Sequence, residues 1–361
     1  MLYRSWAEID IERLEENIKK IYTFTGKYIF AVVKADAYGH GAVEISKHLE
    51  NIPFVKKLCV ATAEEGKELR EAGIEKDILV LGGVLKGEEE EFNIYNLQPV
   101  ISDFNQLELS KNLKKPVHIK FDTGMHRLGF YKKDICKIVE IIKKNSIDVE
   151  GIMSHFPSAD IDKELTEKQI YEFSQISKIL ESKGILPVYK HIQNSAGLVY
   201  KCDFCNAVRV GLTIYGEKPV KNFPVDVKNI MSVKSKLIAV KKLRKGDKVS
   251  YCGTFEADKD MTVGIVAFGY ADGLPRNLSN KGFFIINGKK APIVGNITMD
   301  MTIVDLTGID AEIGDTVLII GKNGEEISFY DVADLCETIP YELMCRISKR
   351  VKRIVKIPKV L

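Results

Sequence analysis

Between residues 10 and 230 the chain alternates short apolar runs with stretches of helical periodicity. The runs end near Lys34, Ala61, Gly82, Ser102, Asp122, His155, Asn194 and Arg209, which predicts eight strands. The first, Tyr28 to Val33, is almost continuously apolar, as expected of a parallel strand covered on both faces. The intervening segments are amphipathic. Leu14, Ile18 and Ile21 share one helical face, and Thr166 to Gln169 reads as a capping box opening a helix that buries Ile170, Phe173 and Ile176. Strand and helix in strict alternation predict a parallel (β/α)8 barrel of the TIM type. A doubly wound open sheet is the rival, but after the first strand the sequence reads KADAYGHG where a dinucleotide-binding turn would read GxGxxG.

The rhythm breaks between Pro219 and Pro224. Beyond it come β-type runs, hairpin signals at Asn287-Gly288 and Asn323-Gly324, and one short helical pattern around Asp331 to Leu335, with little else. This predicts a second, mostly antiparallel β domain. The expected division is residues 1–230 for the barrel and 231–361 for the β domain, with the first ~8 residues free to pack with the latter. The basic tail Lys349 to Lys359 is interleaved with Val351, Ile354, Val355 and Ile357, the pattern of a half-buried strand with a charged face.

Composition narrows the function classes. In 361 residues Lys/Arg and Asp/Glu nearly cancel, leaving a net charge of +3, so no nucleic-acid or acidic-membrane partner is indicated. The amino-terminal segment lacks a signal-type apolar core, and no stretch approaches the ~20 apolar residues of a membrane span, so a cytoplasmic enzyme is expected. Seven scattered cysteines suit reduced thiols. Cys202 and Cys205 form one CxxC without a second pair at zinc spacing, and no metal is expected.

A barrel enzyme carries its chemistry at the carboxyl ends of its strands. Lys34 stands at the end of the first strand, where a half-desolvated amine is suited to forming a Schiff base, and Tyr38 follows it. The fifth strand gives Lys120, Asp122 and, on its loop, Arg127; the sixth ends in His155. Asn194-Ser195 follows the seventh at a helix start, where free N–H groups suit an anion. The eighth gives Arg209 and then Gly211, whose missing side chain lets backbone approach a ligand. Singly, His155 reads as a core histidine, Arg209 as an ion-pair partner and Ser195 as a helix cap. Together an amine, an anion cradle and a fixed cation match the aldehyde, phosphate and ring nitrogen of pyridoxal 5'-phosphate.

These segments are similar to those of the alanine racemases over essentially the whole length. The resemblance rests on VVKADAYGHG, KFDTGMHRLG, MSHF, QNSAG and RVGLTIYG in the first part, and on VSYCGTF, GYADGLPR, APIVGNITMDM and IPYELMCRIS in the second. It implies a barrel followed by a β domain, with pyridoxal phosphate held as an internal aldimine on Lys34 and Tyr251 as the second catalytic base. It places Tyr38, Ser195, Gly211, Leu212 and Tyr341 at the phosphate, and Arg127 and Met299 at the substrate carboxylate. Lys120 falls at a position carbamylated in some members. Arg209 is expected at the pyridine nitrogen, and Arg209 and His155 to supply positive charge or donors to a tyrosinate. A homodimer with composite sites is implied, as is production of D-alanine for cell-wall peptidoglycan.

Two departures flank the expected site: Tyr251-Cys252-Gly253 replaces the usual tyrosine-glycine pair, and Thr298 precedes Met299 where some members have cysteine. A serine or broad-specificity racemase is therefore the alternative. An amino-acid decarboxylase of the same architecture would leave RVGLTIYG and the Tyr251 motif without a role. A protein that merely stores the cofactor would not need the second domain.

Overall fold

The computed structural model describes residues 3–220 and 222–356. The chain opens with β1 (Ser5–Asp10) and α1 (Ile11–Thr25), whose Leu14, Ile18 and Ile21 are all buried. One compact unit comprises Glu15–Ala37 and Ala42–Lys228. It holds the eight barrel strands: β2 (Tyr28–Val32), β3 (Val55–Val60), β4 (Ile78–Val80), β5 (Leu97–Ile101), β6 (Val117–Lys120), β7 (Val149–Met153), β8 (Tyr189–His191) and β9 (Ala207–Val210). Every ladder from β2 to β8 is parallel between sequence neighbours, and β9 returns to pair in parallel with β2, with Phe30 opposite Arg209. Between β8 and β9 single bonds replace a ladder: Asn206 N–H to Lys190 O (3.2 Å) and Arg209 N–H to Gln193 O (2.9 Å). The barrel is thus near-closed.

Helices α3 (Ala42–Glu50), α4 (Ala63–Glu71), α5 (Glu89–Ile94), α6 (Phe104–Leu109), α7 (Ile135–Asn145) and α8 (Lys163–Ser182) follow the strands. The alternation is less strict than the pattern suggested. Among the described residues only a 3-10 turn, Ala196–Val199, follows β8, and no helix follows β9 before the chain leaves the unit. There Asn17 of α1 bridges the carbonyls of Ile214 (3.2 Å) and Lys228 (2.8 Å). The proposed capping box is also corrected. Helix α8 starts earlier, because Asp162 caps it by accepting the Leu165 N–H at 2.9 Å, and Thr166 lies inside, donating back to Asp162 O. Gln169 is turned inward, onto Thr123 and the His155 carbonyl.

The segment after β2 coils the other way. In α2 (Lys34–Gly39) the residues Ala35, Asp36, Ala37 and Tyr38 all have φ of 52–53°, a left-handed turn built from ordinary L residues. Such a conformation costs on the order of 1–2 kcal/mol per residue, so the surroundings must impose it. Asp36 accepts the Ala42 N–H at 2.7 Å, and both carboxylate oxygens of Glu65 take part, as described below.

Among the described residues the second unit comprises the chain up to Leu14, Tyr38–Gly41 and the residues from Asn229 onward. Its strands are β1, β10 (Met231–Leu243), β11 (Lys248–Val249), β12 (Phe255–Glu256), β13 (Met261–Val266), β14 (Phe283–Ile286), β15 (Lys289–Pro292), β16 (Thr302–Asp305), β17 (Thr316–Asn323), β18 (Glu325–Ile327) and β19 (Lys352–Lys356). Among the described residues all pairings are antiparallel except β1 with β19. Strand β10 alternates inward Met231, Val233, Ser235 and Leu237 with outward residues, then shifts register between Leu237 and Ala239, which lets one strand serve β1, β17 and β13. Asn287 and Gly288 both take positive φ and close the β14–β15 hairpin as the pattern predicts. Among the described residues two α-helices lie wholly in this unit, α9 (Phe329–Cys336) and α10 (Pro340–Arg346). The second was not expected, although Pro340 at its first position is a start signal. The tail forms β19 as far as Lys356; Ile357 and Lys359 lie outside the described residues.

Candidate active site

In the barrel unit the predicted residues sit at the strand ends. Lys34 follows β2, Lys120 ends β6, His155 lies two residues beyond β7, Ser195 follows β8, and Arg209 to Leu212 run out of β9. Arg209 is the most constrained of them. It is 4% exposed, and its terminal nitrogens hold five acceptors: Nη1 donates to His191 Nδ1 (2.6 Å) and His191 O (2.9 Å), Nη2 to Ser154 O (2.6 Å), His155 Nδ1 (3.1 Å) and Ile192 O (3.2 Å). Only the Nε–H has no acceptor among the described residues. Burial lowers the Arg209 pKa to about 10, which still leaves a cation at neutral pH.

His155 does not supply positive charge. Burial first, then the cations Arg209, Lys120 and Arg127, hold its pKa well below the ordinary histidine value, so the ring is neutral. Because Arg209 donates to Nδ1, the ring proton is on Nε2, and His155 is a donor there. Lys120 is similarly pressed. It is 5% exposed with no carboxylate in ion-pair reach among the described residues, and burial, Arg209 and Arg127 lower its pKa to about 8. Arg127 is exposed and makes no hydrogen bond or ion pair among the described residues. Its loop is shaped by Asp122, whose Oδ1 accepts the N–H groups of Gly124, Met125 and His126 at 2.9–3.1 Å.

At the ends of β8 and β9, the N–H groups of Gly211 and Thr213 converge on Ser195 Oγ, each at 3.4 Å, with Thr213 Oγ1 at 3.2 Å. Bonds that long leave the donors able to turn to an anion. The Leu212 N–H has no acceptor among the described residues. Ser195 is not a side-chain cap; Asn194 does that work, accepting the Gly197 N–H at 2.9 Å.

In the second unit Tyr38 is buried, and its ring lies 5.7 Å from that of Tyr341 at the start of α10. Arg353 of β19 donates to Gly39 O from Nε (2.9 Å) and Nη2 (2.8 Å), and a Cβ on Gly39 would stand 2.2 Å from Met344 O, so glycine is required there. Tyr251 is 71% exposed on a turn whose neighbours Ser250 and Cys252 have φ of 62° and 63°. Asn296 holds that turn, donating to Tyr251 O (2.8 Å) while its own carbonyl accepts from Ser250 Oγ (2.6 Å). Tyr251 and Met299 line one groove with Thr298 and Asp300. Thr298 closes the bend beneath Met299 by donating to Met301 O (2.8 Å) and accepting the Met301 N–H (3.2 Å).

Sequence reasoning missed Glu65, His118, Glu150 and His191. Glu65 accepts the N–H of Ala35 and of Ala61, and the other three lie inside the barrel in contact with one another and, through His191, with Arg209. His118 and His191 had a signal: each is a titratable residue within a run otherwise read as buried strand.

A barrel with an amine, a held guanidinium and converging N–H groups at its strand ends is the architecture of a pyridoxal-phosphate type enzyme. Residues 9–219 match the family model of the alanine racemase N-terminal domain, and residues 230–355 that of the C-terminal domain. The chain is 47% identical to the alanine racemase of Aquifex aeolicus over 352 residues, covering 98% of this chain and 99% of that one. It is 43% identical to that of Thermodesulfovibrio yellowstonii, covering 96% of each. Among solved structures, alanine racemase of Clostridium difficile aligns with a TM-score of 0.92 at 34% identity, over 99% of this chain and 96% of that one. The enzyme of Bartonella henselae, solved with covalently bound pyridoxal phosphate, aligns at 0.88 and 30% identity, over 98% and 100%. The chain belongs to the alanine racemase family.

Proposed function

We propose that this protein interconverts L-alanine and D-alanine with pyridoxal 5'-phosphate attached at Lys34, Lys34 and Tyr251 serving the two faces of the α-carbon. The observation that carries the reading is the pairing of β2 with β9, which sets Lys34 and Arg209 at the ends of adjacent strands, the guanidinium having only its Nε–H to spare. The residues present fit the cofactor. Lys34 offers an amine, Arg209 a donor for a ring nitrogen, and Ser195, Gly211 and Leu212 donors for a phosphate, with Tyr38 and Tyr341 as further phosphate ligands and His155 as a neighbouring donor. When bound, the cofactor supplies a conjugated electron sink that acidifies the α-proton of an attached amino acid.

Arg209 donates and never accepts, so an acceptor nitrogen facing it stays unprotonated. The sink is thereby weakened, which disfavours decarboxylation and transamination. Lys34 removes or returns the proton on one face and Tyr251 on the other. Arg127 pairs with the substrate carboxylate, and Met299 borders it. Lys120, carbamylated, would give Arg127 the anionic neighbour it lacks.

The exposure of Tyr251 in a single chain supports a homodimer in which each site is completed by the partner's tyrosine. No helix among the described residues is long and apolar enough to cross a membrane, and a cytoplasmic source of D-alanine for peptidoglycan is the corresponding role. Relatives named alanine racemase at 43–47% identity favour alanine over the serine or broad-specificity alternative. Incubating the purified protein with separate L-amino acids and measuring the D-isomers tests the reading. D-alanine should form fastest; faster D-serine, or no D-isomer at all, would overturn it.

A further inference from the structure

Arg209 is a buried cation with no carboxylate in ion-pair reach among the described residues. An unpaired buried charge is costly, so its compensation must come from elsewhere. The barrel interior contains a continuous path. His191 ends β8, His118 lies on β6 and Glu150 on β7. His191 Nε2 is 2.8 Å from His118 Nδ1, and His118 Nε2 is 3.3 Å from Glu150 Oε2. Both imidazoles are completely buried, each packed at a steep angle against the Phe30 ring.

The direction of every bond is fixed by one fact. Arginine only donates, so His191 Nδ1 must accept from Arg209 and the His191 proton resides on Nε2. That proton is donated to His118 Nδ1, which places the His118 proton on Nε2, where it meets the Glu150 carboxylate. Gly151 makes room for the ring: a Cβ there would stand 2.2 Å from His118 Nδ1.

We propose that Glu150, His118 and His191 form a polarised relay that acts as the remote counter-charge of Arg209 and fixes its Nε–H toward the strand ends, making Glu150 and His118 positioning residues. The proposal rests on the cofactor reading above for its effect on the reaction, but not for its geometry. Each link polarises the next, so His191 Nδ1 is a stronger acceptor than an isolated imidazole. At the far end Glu150 Oε2 also receives Lys57 Nζ (2.7 Å) and Gln98 Nε2 (3.0 Å), while Lys57 further contacts Gln98 Oε1 (2.5 Å) and Asp77 (3.3 Å), the latter also near Lys115 (3.6 Å). Burial keeps His118 at about 4 and His191 well below the ordinary value, so both links are neutral, as the relay needs. The neighbouring Cys59 thiol, pushed up to about 12 chiefly by burial, contributes no charge.

Nitrogen NMR of the wild-type protein carrying 15N-labelled histidine tests the relay without any variant. His118 and His191 should each show an unprotonated Nδ1 and a protonated Nε2 across neutral pH; an Nδ1-protonated or doubly protonated His191 would overturn the proposal. Glu150→Gln then removes the charge and keeps an acceptor. It should retain bound pyridoxal phosphate, shift the absorption maximum of the bound cofactor, and lower kcat about tenfold with little change in the KM for alanine. A folded Glu150→Gln protein with an unchanged spectrum and kcat would sink it. If the wild type proves not to be a racemase, the tautomers remain readable, so the two readings fail separately.

Discussion

Glu65 accepts the N–H of Ala35 on one carboxylate oxygen (2.8 Å) and that of Ala61 on the other (2.6 Å). One side chain thereby fastens the start of the left-handed turn after Lys34 to the end of β3. Charge-assisted bonds of this kind contribute about 1.5–3 kcal/mol each when they cannot be replaced by water. Glu65→Ala should therefore lower stability by roughly 1–3 kcal/mol, because Ala35 is exposed and regains water while Ala61 is more enclosed. It should also reduce kcat about tenfold or more by releasing Lys34 from its place. Urea unfolding and steady-state kinetics on the same variant check both; unchanged kcat would mean that the turn holds without Glu65.

Lys34→Ala and Tyr251→Phe proteins should each be inactive, and co-expression should restore activity. In a hybrid dimer with shared sites one site collects both defects and the other neither, so random pairing returns about a quarter of wild-type activity. D-alanine production in the mixture is the measurement. No recovery, with hybrid dimers demonstrated, would place Tyr251 in the site of its own chain.

Lys120 should take up carbon dioxide. With its pKa lowered to about 8 by burial, Arg209 and Arg127, an appreciable fraction is neutral amine at neutral pH, and only the neutral amine reacts. Native mass spectrometry in bicarbonate should show the adduct, lost on acidification. The linkage has a definite sign: the unmodified folded state releases this proton more readily than the unfolded chain, so stability rises with pH between about 8 and about 10. Lys120→Ala should flatten that rise.

Acid sensitivity should trace partly to Glu8, which joins β1 to β10 and β19. Burial would raise its pKa, but hydrogen bonds from Lys234, Lys356 and Trp6 outweigh burial and leave it at about 2. A carboxylate depressed in the folded state contributes stability above its ordinary pKa and loses it as pH falls toward 2. After allowance for partial exposure the contribution is about 1–2 kcal/mol. Glu8→Gln should be less stable at neutral pH and show a shallower loss of urea midpoint below pH ~4.5.

The barrel was legible because each strand is a short apolar run ending on a polar residue, and the candidate site residues are largely those end residues. Positions such as Glu65 were not legible. It lies in the first turn of α4 beside Glu64 and near Glu68, and nothing in the order of residues distinguishes the carboxylate that reaches two backbone N–H groups from those that face water. The relay histidines were hidden for another reason. Strand-end residues lie at the rim, whereas His118 and Glu150 act from within the barrel, and it is folding that brings His191 between them and Arg209. The charge state of His155 likewise depends on which cations surround it in space.

Ala35 to Tyr38 give a protein proposed to handle both hands of alanine a stretch of main chain with the hand of the mirror image. Residues that ordinarily favour a right-handed helix are unfavourable here, and their antipodes would be at ease. Ala35→Gly, at an exposed position, should stabilise the protein by about 1 kcal/mol, the reverse of its effect in a normal helix, whereas at the fully buried Ala37 the lost methyl packing should offset that gain. A D-alanine introduced at the exposed position 35 by chemical ligation should stabilise it further, since it fits the turn without glycine's loss of backbone freedom.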